Sequence, residues 1–170
     1  MCEYNQVLNK IYSIIRKNER LCKLLYYTTN VDVDNISQCP NLTQSQKLEV
    51  WNKYIKKMLN ISAINDESRA YICIKFGMID FSDKTKRNAY QTFWSNSIVN
   101  LHVIVADNID EINGMSRCLE LVGELQNMFT RQDIDAVGVS CITNIAETRV
   151  VDGYTSYVVS LKFQDKNSGV

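Results

Sequence analysis

The 170-residue sequence contains only one histidine, one proline and six glycines. A single histidine offers little for acid–base catalysis, because a histidine base needs an orienting carboxylate and a nucleophile nearby. The sequence around His102 shows neither, and Cys73 and Cys141 lack any local signature of Cys–His catalysis. We therefore interpret His102 as a residue on the polar face of a strand, and we expect no enzymatic activity.

An excess of charge of one sign is also lacking. Nineteen Lys and Arg balance 19 Asp and Glu, whereas general binders of nucleic acid or membrane surfaces usually carry a basic excess. The balance permits copies of the chain to associate. No apolar run approaches the roughly 20 residues that cross a bilayer, and the N-terminus lacks the features of a signal peptide. These absences predict a soluble protein that stays in the compartment where it is made, with no membrane contact.

The cysteines are widely and irregularly spaced, with no C-x-x-C pair. Because a zinc site normally places two of its ligands within a few residues of each other, no metal or other cofactor is indicated. We expect free thiols that serve as small hydrophobic side chains. The six are Cys2, Cys22, Cys39, Cys73, Cys118 and Cys141.

Three helices are predicted from apolar periodicity. The first covers residues 3–27 with a break near Asn18, and the second covers 44–59 with Thr43 as its N-cap. The third and clearest covers 114–130. The apolar face predicted for the second helix is Leu48, Trp51, Ile55 and Leu59. The apolar stripe of the third is Met115, Cys118, Leu119, Val122, Leu125 and Phe129.

Alternating β-forming residues predict strands at 69–77 and 97–106. The last third of the sequence predicts a long β-hairpin over 137–163, with Asp152 and Gly153 at its turn because glycine accepts a positive φ. The fold class is therefore α+β. We expect a mostly antiparallel four-stranded sheet with a long C-terminal β-hairpin, packed by one amphipathic helix, plus N-terminal helices.

We expect a single domain over residues 1–170, with a helical N-terminal region at 1–60 and an α+β core at 69–164. The helix at 114–130 would cover one face of the sheet. The other face would carry Asn100, His102 and Ser160, and it would require solvent or a partner. The tail after Gln164 is polar and is expected to fray.

Two clusters of charge were considered as binding sites. The predicted loop at 107–113 carries Asp107, Asp110 and Glu111, but it lacks the glycine and distal glutamate of a calcium loop. Acids are common before a helix N-terminus, so we interpret these as helix-favouring residues. The long polar connection at 80–95 contains Lys84, Lys86 and Arg87. No nucleotide-binding glycine motif occurs.

The predicted hairpin is longer than a sheet of this size needs, and its edge strands would expose unpaired backbone groups. The useful surface of the protein is therefore predicted to be an interface with other chains. The candidate interface residues are Lys84, Lys86, Arg87, Asp152, Gly153 and Tyr154.

Three stretches resemble phage neck and tail-completion proteins, the group that includes tail terminators. The first is Asn18 to Thr28. The second runs from Ile98 to Phe129, a strand and an acidic loop followed by a helix that opens with a G-x-x-R pattern at Gly114 to Arg117. The third is the terminal hairpin with Asp152, Gly153 and Tyr154.

The resemblance implies a structural virion protein that forms a homo-oligomeric ring, commonly a hexamer, at the neck or head-proximal end of the tail. Such a ring would cap the tail tube and join it to the head connector, and genomic DNA would pass through its channel without specific binding. Contacts of this head-to-tail kind close into rings.

Three other functions remain open on the sequence. The first is a neck adaptor or head-completion protein, and the second is a small cytosolic enzyme or ligand-binding α+β domain. The third is a regulatory nucleic-acid-binding domain, which salt-sensitive DNA binding by Lys84, Lys86 and Arg87 would favour.

Overall fold

A computed structural model describes residues 3–28, 35–57, 69–78, 97–112, 114–134 and 137–164. Within these ranges the helices are α1 (Glu3–Lys17), α2 (Glu19–Tyr26), α3 (Gln44–Glu49), α4 (Asp107–Asp110) and α5 (Arg117–Phe129), with a 3-10 turn at Ile36–Gln38 and a π-helical turn at Val50–Tyr54. The strands are β1 (Ile55–Lys56), β2 (Ala70–Met78), β3 (Ile98–Ala106), β4 (Glu111–Ile112), β5 (Met115–Ser116), β6 (Asp133–Ile134), β7 (Gly138–Glu147) and β8 (Tyr154–Gln164).

The predicted break near Asn18 separates α1 from α2. Asn18 has an extended backbone, and its Oδ1 accepts a hydrogen bond from the backbone N–H of Leu21 at 2.9 Å. This is an N-cap, which satisfies one of the free N–H groups at the start of a helix. The prediction of helix over 3–27 with a break at this point is confirmed.

The predicted second helix over 44–59 is helical only as far as Tyr54, and residues 58–59 lie outside the described residues. A capping box between Thr43 and Gln46 starts α3 as predicted. The helix then widens into the π-helical turn, and Ile55 pairs in parallel with Ile72 of β2. The long-range pairing overrides the local helical pattern. Leu48, placed on the apolar face by the sequence, is 46% exposed.

The main sheet has six strands in the order β1-β2-β3-β8-β7-β6. Its four long strands are antiparallel, as predicted. The expectation of only four strands is corrected, because β1 adds a parallel edge and β6 pairs with the start of β7. The α+β class stands, with a mixed rather than purely antiparallel sheet.

The helical layer covers one face of this sheet. Helix α5 lies across β3, β7 and β8, and α1 and α2 contact both α5 and β2. The Cys118 thiol lies 4.0 Å from the carbonyl oxygen of Val103, and Ser140 donates to the carbonyl of Phe129 at 2.8 Å. The fully buried residues of the helices and of the sheet include Ile11, Ile15, Leu21, Leu25, Leu121, Leu125, Phe129, Val99, Leu101 and Phe163.

Arg117, the first residue of α5, is completely buried. Its Nη1 donates to the carbonyl oxygens of Leu24 and Tyr27, each at 2.9 Å, and its Nε donates to Ile109 at 3.1 Å. One side chain thus joins the end of α2, the short helix α4 and the start of α5. Burial lowers the pKa of Arg117, and the Asp110 carboxylate opposes that shift.

Residues 107–112 of the predicted loop form a short helix and a short strand. The loop thus contains α4 and then β4, which pairs with β5. The interpretation of its acids is supported by Asp110, whose Oδ1 accepts the backbone N–H of Cys118 at 2.7 Å. The Ser116 hydroxyl oxygen caps α5 by accepting the backbone N–H of Leu119 at 3.2 Å. These acceptors favour the helix N-terminus and offset the charge of Arg117 there.

The second face of the sheet differs from the sequence expectation, because its polar residues are mostly buried within the chain. Ser160 is 9% exposed and donates to Asn100 Oδ1 at 2.9 Å. His102 is 7% exposed, and neither ring nitrogen finds a hydrogen-bond partner in the described part of the chain. Burial, helped by the nearby Lys75 cation, lowers the pKa of His102 to about 4.

Replacement of Arg117 by Met should destabilise the fold, because three carbonyl oxygens around a buried position would lose their donor. We expect a loss of about 3 kcal/mol or more in the free energy of unfolding. Arg117→Lys keeps the charge and part of the bonding and should lose clearly less. Urea unfolding followed by circular dichroism measures both. A loss below about 1 kcal/mol for Arg117→Met would contradict this role.

Replacement of His102 by Leu should weaken the acid sensitivity of the fold. Between the ordinary pKa of 6.5 and the folded pKa of about 4, the unfolded chain binds a proton that the folded chain does not. Stability therefore falls as pH falls through this window, by up to about 3 kcal/mol from this residue.

The measurement is urea unfolding of parent and His102→Leu at neutral pH and across that window. The variant should lose less stability on acidification, and Lys75→Met should raise the pKa of His102 and give an intermediate result. Identical loss of stability on acidification in the parent and in His102→Leu would rule out the buried imidazole as a source of the acid sensitivity.

Candidate interface at the terminal hairpin

Three of the predicted interface residues lie together at the β7–β8 turn. Asp152 is almost fully exposed and lies 3.4 Å from Arg149, Gly153 has a φ of +81°, and Tyr154 begins β8 half-buried. The positive φ explains glycine at this position, because residues with a side chain are strained there. The other three predicted residues, Lys84, Lys86 and Arg87, lie outside the described residues.

The hairpin turn is fastened to the start of α4. The backbone N–H of Asp107 donates to the carbonyl of Gly153 at 3.0 Å, and the Thr155 hydroxyl donates to Asp107 Oδ1 at 3.0 Å. Asp107 was interpreted from the sequence only as a helix-favouring acid. Its contacts with the hairpin join residues about fifty positions apart, and no local pattern signals them.

A shallow concavity of about 230 Å³ lies between the turn and the strands. Its side chains carry both signs of charge, with Asp107 and Glu147 against Arg149. Mixed, exposed charge of this kind suits the polar rim of a protein–protein contact. The remaining lining residues are Thr148, Val151, Gly153, Tyr154, Thr155 and Ser156.

The outer edge of β7 is open over most of its length in the described part of the chain. The short strand β6 pairs with Gly138 and Val139, and the backbone of Ser140 is bonded to Arg131 and Gln132. The backbone N–H of Thr148 donates to the carbonyl of Ser156 at 2.8 Å. Because the backbone groups of an antiparallel strand alternate in direction, those of Ala146 point toward β8, and those of Ile145 and Glu147 point outward.

The open edge is apolar at one point and bent at another. Ile145 is 37% exposed, one of three large hydrophobic residues with that degree of exposure among the described residues. The register shifts between Ile142 and Asn144, and the Thr143 hydroxyl donates to Ser160 at 3.2 Å. The bulge leaves a regular stretch from Asn144 to Glu147, which can accept another strand.

Three of the five cysteines that the structure describes are core residues, and Cys39 and Cys141 are half-buried. Cys22, Cys73 and Cys118 are buried, and burial raises the pKa of their thiols to about 11, 11 and 12. In the described ranges, no three His, Cys, Asp or Glu side chains are grouped so that they could hold a metal ion. None of the described helices has the length and hydropathy that crossing a bilayer requires.

Comparison with known proteins gave one match. The model of the YomW family matches residues 18–163, which is well over half of the chain and includes α2, the sheet and the hairpin. No curated protein and no solved structure matches. The family name is that of an SPbeta-type protein derived from phage, so the match supports a phage-associated protein without a specific place in the virion. The chain belongs to the YomW family.

Proposed function

We propose that the protein is a non-enzymatic structural component of a tailed phage, assembling into a ring at the neck or the head-proximal end of the tail. In this position it would cap the tail tube and join it to the head connector. The phage-derived family supports the association with a phage. The place in the virion rests on the resemblance of the three sequence stretches and on the hairpin.

The observation that carries the proposal is the open outer edge of β7. An edge with outward backbone N–H and C=O groups binds another strand by continuing the sheet. At Ile145 and Glu147 these groups point outward next to an exposed apolar side chain. Because the turn is fastened to α4 by Asp107, the edge is held in place before any partner arrives.

A ring requires that this edge meets a different surface of the next copy. Contacts between unlike surfaces close into a ring when the rotation between copies closes, whereas contacts between like surfaces give a dimer. The zero net charge of the chain keeps repulsion between copies low. A neck adaptor would use the same edge in the same way, and would differ in the neighbours it binds.

The proposal predicts that Ile145→Pro prevents assembly. Proline removes the outward N–H and adds bulk at the edge, and it spares the ladder with β8 because that N–H does not point toward β8. The mass in solution, measured by light scattering after size exclusion over a concentration series, should be that of a discrete closed oligomer of about six subunits for the parent. Ile145→Pro should give a monomer.

The matched control is Ile145→Val, which keeps the N–H and a β-branched apolar side chain and should assemble like the parent. Circular dichroism verifies that all three proteins are folded. A parent that is monomeric at every concentration would refute self-assembly of the isolated protein. An oligomer that survives Ile145→Pro would place the interface elsewhere on the molecule.

A further inference from the structure

The charges of this neutral chain are unevenly distributed. Residues 4–17 and 50–57 contain six Lys and Arg and no Asp or Glu, which leaves 13 Lys and Arg against 19 Asp and Glu in the rest of the chain. The six cations are Lys10, Arg16, Lys17, Lys53, Lys56 and Lys57. The first segment forms most of α1 and the second forms the π-helical turn and β1.

Contacts between the two segments make them one surface. The Tyr12 hydroxyl donates to the carbonyl of Trp51 at 2.6 Å, and Lys57 Nζ donates to Asn9 Oδ1 at 2.6 Å. The Arg16 guanidinium lies 3.8 Å from the centre of the Trp51 ring and 5.2 Å from that of Tyr12. Lys57 Nζ lies 4.8 Å from the Tyr12 ring centre. We call these residues the α1 basic surface.

Three of the six cations contact neutral groups in the described part of the chain. Arg16 and Lys57 rest on aromatic rings, and Lys56 Nζ donates to the carbonyl of Asn52 at 2.8 Å. An aromatic ring positions a cation without cancelling its charge. Lys53 instead pairs with Glu49 at 3.1 Å.

Some cations elsewhere in the described chain are paired with carboxylates, whereas others, such as Lys23 and Arg69, bond to neutral oxygens. Arg20 bonds to Glu120 at 2.9 Å and to Glu124 at 3.0 Å, and Lys47 lies 2.6 Å from Glu19. These pairs neutralise charge and join helices. The favourable position of cations at a helix C-terminus accounts for Arg16 and Lys17 at the end of α1, but it does not account for Lys53, Lys56 and Lys57.

We propose that the α1 basic surface binds the phosphate backbone of nucleic acid, in a contact without sequence specificity. Several cations on one helix and an adjoining turn, two of them positioned by aromatic rings, match a polymer of regularly spaced charges. The faces of Tyr12 and Trp51 are occupied by Lys57 and Arg16, so they are not free to stack on unpaired bases. Duplex DNA is therefore the favoured ligand. The contact is independent of the ring and of the β7 edge.

The test uses fluorescence anisotropy of a labelled duplex of about 30 base pairs at salt concentrations from about 50 to 200 mM. The parent should bind with an affinity that falls steeply with salt. Arg16→Gln/Lys57→Gln should weaken binding about tenfold at the lowest salt, and should reduce the slope of log affinity against log salt by about 2, one phosphate contact for each cation.

Two controls distinguish an effect of this surface from an effect of net charge and from an effect of misfolding. Arg131→Gln/Arg149→Gln makes the same change in net charge at two exposed residues away from α1, and should bind like the parent. Arg16→Lys/Lys57→Arg keeps both charges and should retain binding even if the Gln variant folds less well.

Three results would overturn the proposal. One is a parent that does not bind duplex at the lowest salt, and another is equal weakening by the Gln variant and the net-charge control. The third is tighter, Arg16- and Lys57-dependent binding of poly-glutamate than of duplex, which would assign the surface to an acidic protein partner. None of these results depends on the oligomeric mass, so failure here leaves the ring proposal standing.

Discussion

The packing of helices against the sheet depends on a buried guanidinium. Arg117 bonds to carbonyls at the end of α2 and on α4 while it begins α5, so the three helices meet at one charged group. A buried charge is stabilised by acceptors for its donors; Nε and Nη1 of Arg117 have them, whereas Nη2 has none in the described part of the chain. These bonds restrict how the three elements can be arranged. Asp110 and Ser116 cap α5 next to this charge. The same junction leads through α4 to Asp107, and from there to the hairpin turn.

The central core and the periphery of the molecule therefore have different roles. The covered face of the sheet and the helical layer are apolar and fully buried, and they supply most of the stability. The two proposed binding surfaces lie on different parts of the fold. The β7 edge offers directional backbone groups that suit another strand, and the α1 basic surface offers fixed positive charge that suits a polyanion. In a ring through which DNA passes, weak contacts of the second kind need not oppose transit, because they carry no sequence information.

Features set by neighbouring residues were predicted well from the sequence. The N-cap residue Asn18 predicts the break between the first two helices, and alternating apolar residues predict β2 and β3. Glycine, which accepts a positive φ, predicts the turn at Gly153. The structure contains all three features. Features set by distant partners were missed. Ile55 was predicted in a helix but pairs with Ile72, and Arg16 was not associated with Trp51, which is 35 positions away. The sequence did not predict β6, which together with Arg131 and Gln132 covers only residues 138–140 of β7.

The proposal that the β7 edge of each copy binds a different surface of the next copy in a closed ring is tested most directly by electron micrographs of the purified protein at a concentration where it assembles. We predict closed annular particles with a central channel and about six repeating units in averaged top views. Compact particles without a channel, or open filaments of variable length, would contradict the account, because both mean that the contact between copies does not close into a ring.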